Sequence, residues 1–320
     1  MAEPETESAV MACMEVRGGS EAVVASLSSP GLEMGVYSRP YGGGEAGGDV
    51  HYVSSCATGR ITRVLLADVT GHGEQVTQTA VVLRRLMQRY VNYIDQSRFV
   101  ERLNRHFNRT SDAGSFATAV VLSYFEPTST LSVINAGHPR PLIYRARKRA
   151  WEMLEDDPDT QAAQVENASL PLGILDHVRY PQQRITLDAG DMVICYSDAL
   201  IEARRQDQSL LGSAGLLEVV RRVVYPEQSD TATAQRVISA VEEATARPIR
   251  DDDVTVLMLR AMPGTSKLAW WRRALGPFDA MWQVFKALLT GRTVPWPEVS
   301  VPSIFGAFVP VFNRWWRGRR

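Results

Sequence analysis

The sequence is poor in the features that mark secreted and thiolate-metal proteins. It holds three cysteines in 320 residues, Cys13, Cys56 and Cys195, and none of them has a CxxC or other metal-binding spacing. An odd and sparse cysteine count favours reduced thiols inside the cell. The first ten residues, MAEPETESAV, are acidic and lack the basic region and apolar run of a secretory signal. We therefore expect a cytoplasmic protein.

Long apolar runs and an excess of one charge are also missing. The longest uncharged run near the C-terminus, Val299–Phe312, has 14 residues and two prolines, whereas a membrane-spanning helix needs about 20 residues. The net charge is −1, so no overall field favours nucleic acid as a partner. With 45% apolar and 22% charged residues, the composition suits a globular domain with an appendage.

Positive charge and tryptophan are concentrated at the C-terminal end. Residues 261–320 hold nine Lys and Arg against two acidic residues, a net +7, and six of the seven tryptophans. Because the whole chain carries −1, residues 1–260 carry −8. This change of composition predicts a boundary near Pro263, between a main domain at 30–262, preceded by a lead-in at 1–29, and a Trp/Arg-rich extension at 263–320.

Hydrophobic periodicity predicts helices and strands in separate blocks. Apolar residues recur at helical spacing over Glu74–Tyr93 and Ser97–Asn108. Strand-like runs at Phe116–Phe125 and Leu131–Asn135 flank a turn and predict a hairpin. Further strands are predicted at Arg63–Ala67, Pro141–Tyr144, Trp151–Leu154, Arg184–Leu187, Met192–Tyr196 and Val254–Leu259, and further helices at Leu210–Val224 and Thr231–Ala246. Antiparallel strands with segregated helices indicate an α+β sandwich.

Four aspartates lie at or beside predicted strand ends. Asp49 follows two glycines, Asp68 opens Asp-Val-Thr-Gly-His-Gly, Asp198 follows Cys-Tyr-Ser, and Asp252 opens Asp-Asp-Val-Thr. Carboxylates without cysteine or paired-histidine spacing favour hard cations such as Mg²⁺ or Mn²⁺. A single aspartate at a strand end more often caps a turn. The ordered set, and not any one member, therefore indicates a metal site.

Short motifs follow one another in a fixed order over residues 30–260. They are Gly47-Gly48-Asp49, Asp68–Gly73, Phe116–Thr118, Asn135–Pro139, Leu170–Gly173, Asp188–Asp191, Tyr196–Asp198 with Glu202-Ala203, and Asp252–Thr255. In this order they resemble the PPM (protein phosphatase 2C-like) family, specifically its bacterial sporulation and stress-response branch, whose members dephosphorylate anti-sigma-factor antagonists. The resemblance implies a PPM-type β-sandwich of antiparallel strands flanked by helices, and a protein serine/threonine phosphatase that acts on a phosphoprotein in signal transduction.

The resemblance also implies a set of metal ligands. Asp68 would bridge two Mn²⁺ or Mg²⁺ ions, and the backbone carbonyl of Val69 would add a ligand to one of them. Asp198 and Asp252 would serve one ion, while Asp49 would contribute to the other directly or through water. The register of Asp-Asp-Val-Thr selects the first aspartate, although a slip by one residue would select the second. Two ions about 3.5–4 Å apart can activate a bridging water for in-line attack on phosphorus.

Two histidines within these motifs have different expected roles. His72 would act as the general acid toward the leaving serine oxygen, a role met in some branches of the family. The alternative is that His72 orders water beside the metal ligands. His138 is expected to be structural, at the end of a hairpin.

One motif departs from the family pattern. The family commonly has Thr-Asp-Gly where this chain has Ser197-Asp198-Ala199. Alanine keeps the carboxylate beside it but loses access to positive φ, so we expect a slightly different local backbone.

The C-terminal extension has no counterpart in the family pattern. It pairs tryptophans with arginines at both ends, and Phe278–Leu289 between them is predicted to be an amphipathic helix. Tryptophan beside arginine favours a membrane interface. Residues 264–320 are therefore expected to bind an anionic membrane peripherally. The alternatives are packing on the domain or on a second copy, and docking to a protein.

The rival to an enzyme is a catalytically weak phosphatase fold that only binds a phosphoprotein and is anchored to a membrane or scaffold by its C-terminal tail. Retention of all four carboxylates argues against this reading, because a binding module would be free to lose them.

Overall fold

A computed structural model describes most of the chain up to Pro263. The described residues are 6–12, 15–44, 46–56, 60–70, 74–90, 95–110, 115–155, 170–225, 230–245, 248–249 and 252–263. His72 and the predicted C-terminal extension from residue 264 onward lie outside them.

The described residues form thirteen strands and five α-helices. The strands are β1 (Thr6–Val10), β2 (Val16–Gly19), β3 (Val23–Ser29), β4 (Leu32–Arg39), β5 (Asp49–Cys56), β6 (Ile61–Val69), β7 (Ala117–Phe125), β8 (Thr130–Ala136), β9 (Leu142–Arg145), β10 (Ala150–Met153), β11 (Gln183–Thr186), β12 (Met192–Tyr196) and β13 (Val254–Ala261). The helices are α1 (Glu74–Arg89), α2 (Gln96–Thr110), α3 (Ala199–Glu202), α4 (Gly212–Val223) and α5 (Asp230–Thr245).

Two sheets stack to form the sandwich. Sheet A has the strand order β1-β3-β4-β13-β12-β9-β10, and sheet B has the order β11-β8-β7-β6-β5-β2. Neighbouring strands are antiparallel, apart from the parallel pair β1 and β3. Helices α1 and α2 cover the outer face of sheet B, and α4 and α5 cover that of sheet A. The result is a four-layer α-β-β-α arrangement.

Strand β6 lies inside sheet B, between β7 and β5, and its sequence suits burial on both faces. Its side chains alternate between two cores because strand residues point to opposite faces in turn. Val64 and Leu66 pack between the two sheets, whereas Leu65, Ala67 and Val69 pack against α1 and α2. A strand buried on both faces reads as a continuous apolar run, and this run delivers Asp68 to the edge of the sheet.

The helices that flank sheet B follow the predicted periodicity. In α1 the buried side chains Val76, Ala80, Leu83 and Met87 recur at intervals of three and four residues, which places them on one face. In α2 the buried aromatic residues are Phe99 and Phe107. Burying each large apolar side chain stabilises the fold by about 1.5–3 kcal/mol.

The predicted α+β sandwich is confirmed. Strands β7 and β8 form the expected hairpin, and β9 and β10, both predicted as strands, pair with each other. Strands β11 and β12, which are adjacent in sequence, do not pair with each other: β11 joins β8 in sheet B, and β12 lies between β9 and β13 in sheet A. The turn between them therefore carries the chain from one sheet to the other.

The segment predicted as a lead-in contributes to both sheets. Within residues 6–29, β1 and β3 belong to sheet A and β2 belongs to sheet B. Alternating small and apolar residues suit such strands, but their distant partners cannot be read from local pattern. The domain boundaries themselves stay a prediction. None of the helices in the described residues is long and apolar enough to cross a membrane.

Candidate metal centre

The four predicted aspartates lie where strands of both sheets end. Asp49 opens β5 and is the register partner of Asp68 near the end of β6. Asp198 directly follows Ser197 at the end of β12, and Asp252 lies just before β13, which runs antiparallel to β12. Each sheet therefore contributes two of the four aspartates.

The carboxylates at this edge repel one another. Burial, followed by the charges of Asp198, Asp252, Asp253 and Glu202, raises the pKa of Asp68 to about 6. Burial also raises the pKa of Asp198, and the neighbouring carboxylates Glu202 and Asp253 add to that rise. Facing anions of this kind are the electrostatic condition that a divalent cation relieves.

Asp49 is the most buried of the four, with 3% of its surface exposed. Burial is the main cause that raises its pKa well above the usual range; the hydroxyls of Thr255 and Ser197 oppose this rise, and Asp68 adds to it. Its Oδ2 atom is buried without a hydrogen-bond partner among the described residues. A buried carboxylate oxygen without a donor is costly, and a cation would satisfy it.

Gly48 keeps the space beside these groups open. A Cβ at this position would lie 3.2 Å from the carbonyl oxygen of Val69 and 3.4 Å from Oδ1 of Asp68. Gly48 also binds β6 directly, because its carbonyl accepts a hydrogen bond of 3.0 Å from the Val69 amide. The carbonyl of Val69 and the carboxylate of Asp68 thus border a cradle that a larger residue would fill.

The donor set at this edge is composed of oxygen. Within the described residues, no group of three or more His, Cys, Asp or Glu side chains is placed so that it could hold a metal ion. Mg²⁺ commonly takes only one or two carboxylates and keeps several waters. The oxygen donors, the buried oxygen of Asp49 and the cradle at Gly48 therefore fit a hard, partly hydrated cation.

Comparison with known proteins identifies the family. The sequence profile of Stage II sporulation protein E (SpoIIE) matches residues 58–262. The chain belongs to the SpoIIE family. The predicted resemblance to the sporulation and stress-response branch of the PPM phosphatases is thereby confirmed.

Individual relatives agree with membership of the SpoIIE family. Over 202 residues the chain is 25% identical to the phosphoserine phosphatase RsbU of Bacillus subtilis (strain 168). The aligned region covers 62% of this chain and 55% of RsbU. The chain thus spans about half the length of this curated relative.

Solved structures show the same fold at lower identity. The RsbU and RsbW domains of Rv1364c from Mycobacterium tuberculosis match with a TM-score of 0.59 and 23% identity, over 77% of this chain and 64% of that one. RsbX in complex with magnesium matches with a TM-score of 0.53 and 15% identity, over 75% of this chain and 100% of that one. The SpoIIE-family sandwich is therefore the fold of this chain.

His138 connects the two sheets beside the predicted aspartates. Its Nε2 lies 3.1 Å from the carbonyl oxygen of Tyr196 in sheet A, and its Nδ1 lies 3.0 Å from Oγ1 of Thr118 in sheet B. A carbonyl can only accept, so Nε2 carries the proton and Nδ1 accepts from the hydroxyl. Burial lowers the pKa of His138 to about 4, which keeps the ring neutral. The predicted structural role is confirmed.

The alanine that departs from the family pattern fits its position. Asp198 has φ −62° and ψ −25°, in the right-handed helical region, and Ala199 begins the short helix α3. Alanine is a good helix former and needs no positive φ here. The substitution therefore leaves the carboxylate of Asp198 at the edge of the site.

The structure brings two further residues to the site: Glu202, to which the sequence motifs assigned no role, and Asp253, which the register offered only as the alternative metal ligand. Glu202, four residues after Asp198 on α3, raises the pKa of Asp198 and Asp68. Asp253 accepts hydrogen bonds from the backbone amides of Tyr41 and Gly48. Glu202 stood within a quoted motif and could have been found by its helical spacing. The contacts of Asp253 span more than 200 residues and have no local signal.

Proposed function

We propose that this chain is a metal-dependent protein serine/threonine phosphatase that hydrolyses phosphoserine or phosphothreonine on a protein. The observation that carries the proposal is the placement of four aspartates at the strand ends of both sheets, with their pKa values raised by burial and further by neighbouring carboxylates. Membership of the SpoIIE family and the kinship with a phosphoserine phosphatase support it.

The proposed ligand set follows the family pattern. Asp68 would serve both of two Mn²⁺ or Mg²⁺ ions, and the Val69 carbonyl would add an oxygen ligand to one of them. Asp198 and Asp252 would hold one ion, and Asp49 would serve the other directly or through water. When bound, the ions supply an activated water and a Lewis acid for the phosphoryl oxygens. Magnesium in the related RsbX structure supports this choice of cation.

The chain's own groups orient the site and move protons. The carboxylates must be ionised to act as ligands, so Asp68, with its raised pKa, gives up its proton before it binds an ion. The phosphoserine oxygen leaves with the electrons of the P–O bond and requires a proton. His72 donates that proton, or alternatively orders water near the ligands.

The proposed substrate is a phosphoprotein in a signalling pathway, of the kind represented by anti-sigma-factor antagonists. The name of the Bacillus relative, a phosphoserine phosphatase, supports phosphoserine as the group removed. The proposed location is the cytoplasm, with peripheral binding to an anionic membrane through residues 264–320, and no nucleic-acid partner. A phosphoproteome comparison of cells with and without the active enzyme would identify the substrate.

Hydrolysis of an aryl phosphate tests this function with little ambiguity. The purified full chain should hydrolyse p-nitrophenyl phosphate in the presence of Mn²⁺ and should lose that activity on chelation. Protein that is folded and Mn²⁺-loaded but hydrolyses neither aryl phosphate nor phosphopeptides would overturn the proposal. That outcome would favour the phosphatase-fold binding module.

A further inference from the structure

A single carboxylate fastens both ends of the loop that leads into the site. The loop at 40–48 joins β4 of sheet A to β5 of sheet B, so it crosses between the sheets. The amide of Tyr41, at its beginning, donates to Oδ1 of Asp253 at 2.6 Å. The amide of Gly48, at its end, donates to Oδ2 of the same side chain. Both oxygens of Asp253 therefore bind backbone amides.

The loop approaches Asp253 too closely for a side chain. A Cβ on Gly47 would lie 2.3 Å from Oδ1 of Asp253 and 2.6 Å from its Cγ, well inside van der Waals contact. The Gly47 amide itself donates to the carbonyl of Ser20 at 2.8 Å. Any larger residue at this position would force the Asp253 carboxylate to shift, so the first glycine of Gly47-Gly48-Asp49 has a steric reason that lies in a residue distant in sequence.

Asp253 is itself held firmly to sheet A. The Ser197 hydroxyl donates to the carbonyl of Asp253 at 3.3 Å and accepts from the Thr255 amide at 2.9 Å. Ser197 directly precedes Asp198. The carboxylate of Asp253 therefore ties the strand ends of sheet A to Gly48, whose carbonyl binds the Val69 amide of sheet B.

The two adjacent aspartates differ in what their side chains contact. One carboxylate oxygen of Asp252 accepts from the Asp253 amide at 2.8 Å, and its side chain is exposed at the same edge as Asp198. Asp253 instead directs both oxygens into the loop. Asp253 therefore lies beside the site, where its charge adds to the rise that burial causes in the pKa of Asp68 and Asp198. Both of its oxygens, however, are already bound by backbone amides.

We infer that Asp253 is a positioning residue, which fixes the spacing between the aspartates of sheet B and those of sheet A by clamping the loop at 40–48, and that it is not itself a metal ligand. The inference rests on the proposed metal-dependent function for its consequence, but the clamp stands on the hydrogen bonds alone. Replacement of Asp253 leaves all four proposed ligand aspartates in the chain but lets the distances between those of sheet A and those of sheet B vary more widely. Metal affinity should fall, and saturating metal should restore most of kcat.

Metal titration of the full-length protein tests the inference. Mn²⁺ binding to wild type, Asp253→Ala and Asp253→Asn is followed by calorimetry, with stoichiometry recorded separately from affinity. Loss of groups that orient metal ligands typically costs 10–100-fold in affinity. We expect a loss in this range for the alanine variant, a smaller loss for asparagine, which keeps one acceptor, and two ions bound in every case. A stoichiometry reduced by one ion would make Asp253 a ligand and overturn the inference.

Asp191 provides a matched control. Its carboxylate also accepts two backbone amides, from Ala146 at 2.8 Å and Asp188 at 3.1 Å. It precedes β12 while Asp198 follows it, so the two are roughly 20 Å apart along the strand. Asp191→Ala should lower stability without changing Mn²⁺ affinity. Equal Mn²⁺ affinity in wild type and Asp253→Ala would contradict the positioning role.

Amide hydrogen exchange of the metal-free protein measures whether Asp253 holds the loop at 40–48. The amides of Tyr41 and Gly48 should exchange faster in Asp253→Ala than in wild type, while amides in the interior of β12 should keep their rates. Unchanged exchange at both amides would overturn the clamp. If wild type binds no Mn²⁺, the proposed function fails and metal-ligand positioning fails with it, whereas the exchange rates still decide the clamp.

Discussion

At the scale of single residues, burial acts on histidines and carboxylates in opposite senses. Burial lowers the pKa of His51 to about 4, and burial with neighbouring carboxylates raises that of Asp68 to about 6. A histidine held neutral contributes stability above the unfolded pKa of about 6.5 and loses it as the pH falls. Asp68 without metal has the opposite pH dependence, because the fold favours its protonated form. Its contribution to stability is present at low pH and disappears as the pH rises through about 6.

Replacement of His51 isolates the first of these effects. When the pH falls from 7.5 to 5, the free energy of unfolding should drop by roughly 2 kcal/mol more in the wild type than in a His51→Gln variant. The reason is that His51 takes up a proton in the unfolded wild type but stays neutral in the folded protein. Urea unfolding at several pH values measures the difference in the free energy of unfolding. The same substitution at the exposed His177 serves as the control. If the free energies of unfolding of wild type and His51→Gln differ by the same amount at every pH, the lowered pKa of His51 is contradicted.

The role of His72 is a second question at this scale. If His72 donates the proton to the leaving oxygen, His72→Ala should slow phosphoserine peptides about 10²–10⁴-fold, the usual contribution of general acid catalysis. Aryl phosphates should be slowed much less, because an aryl oxide leaves readily without a proton. Steady-state kinetics on both substrates decide the matter. Equal losses on the two would assign His72 to the ordering of water.

At the scale of elements, the loop at 40–48 shows how a local motif depends on a distant partner. Gly47→Ala would force a Cβ against the Asp253 carboxylate, and such overpacking typically costs about 1–3 kcal/mol. We expect that loss in the free energy of unfolding, together with weaker Mn²⁺ binding. Gly19→Ala is the matched control, because a Cβ there meets nothing within 4 Å. Equal stability of the two variants would show that the approach is not tight.

The elements themselves were largely predictable because their signals are local. The apolar runs of β6 and β7, the turn before β8 and the periodicity of α1 all depend on neighbours in sequence. Pairings between distant strands have no such signal. The central contact of β13 with β4 joins residues more than 200 positions apart, and the division of β11 and β12 between two sheets follows from that global arrangement.

At the scale of the whole molecule, the site exists only because two sheets are joined at one edge. The aspartates were found from their motifs, but the connections that bring them together were not. His138 links Thr118 to Tyr196, and Asp253 links the loop to β13. Arg63 was read as part of a strand, yet its buried guanidinium lies 4.2 Å from the ring centroid of Phe99. Such contacts depend on the assembled fold.

The C-terminal extension adds a prediction about location. Residues 264–320 should hold the protein at an anionic membrane, since each Lys or Arg near such a surface adds about 1 kcal/mol and the tryptophans add an apolar contribution that salt does not screen. The full chain should co-sediment with anionic liposomes at low salt, less so at high salt, and a chain ending at Pro263 should not. If neither pellets, the membrane hypothesis is wrong. Lower thermal stability on truncation would indicate packing on the domain instead.

The central claim is that Asp68 bridges two cations that drive phosphomonoester hydrolysis. The most direct measurement is the rate of phosphate release from a phosphoserine peptide as Mn²⁺ is titrated into wild type and Asp68→Asn. Wild type should be inactive after chelation and should recover with Mn²⁺. The variant should remain about 100-fold slower or more at saturating Mn²⁺, because Lewis-acid stabilisation is worth several kcal/mol and each 1.36 kcal/mol is tenfold in rate. Comparable rates for the two proteins would contradict the claim.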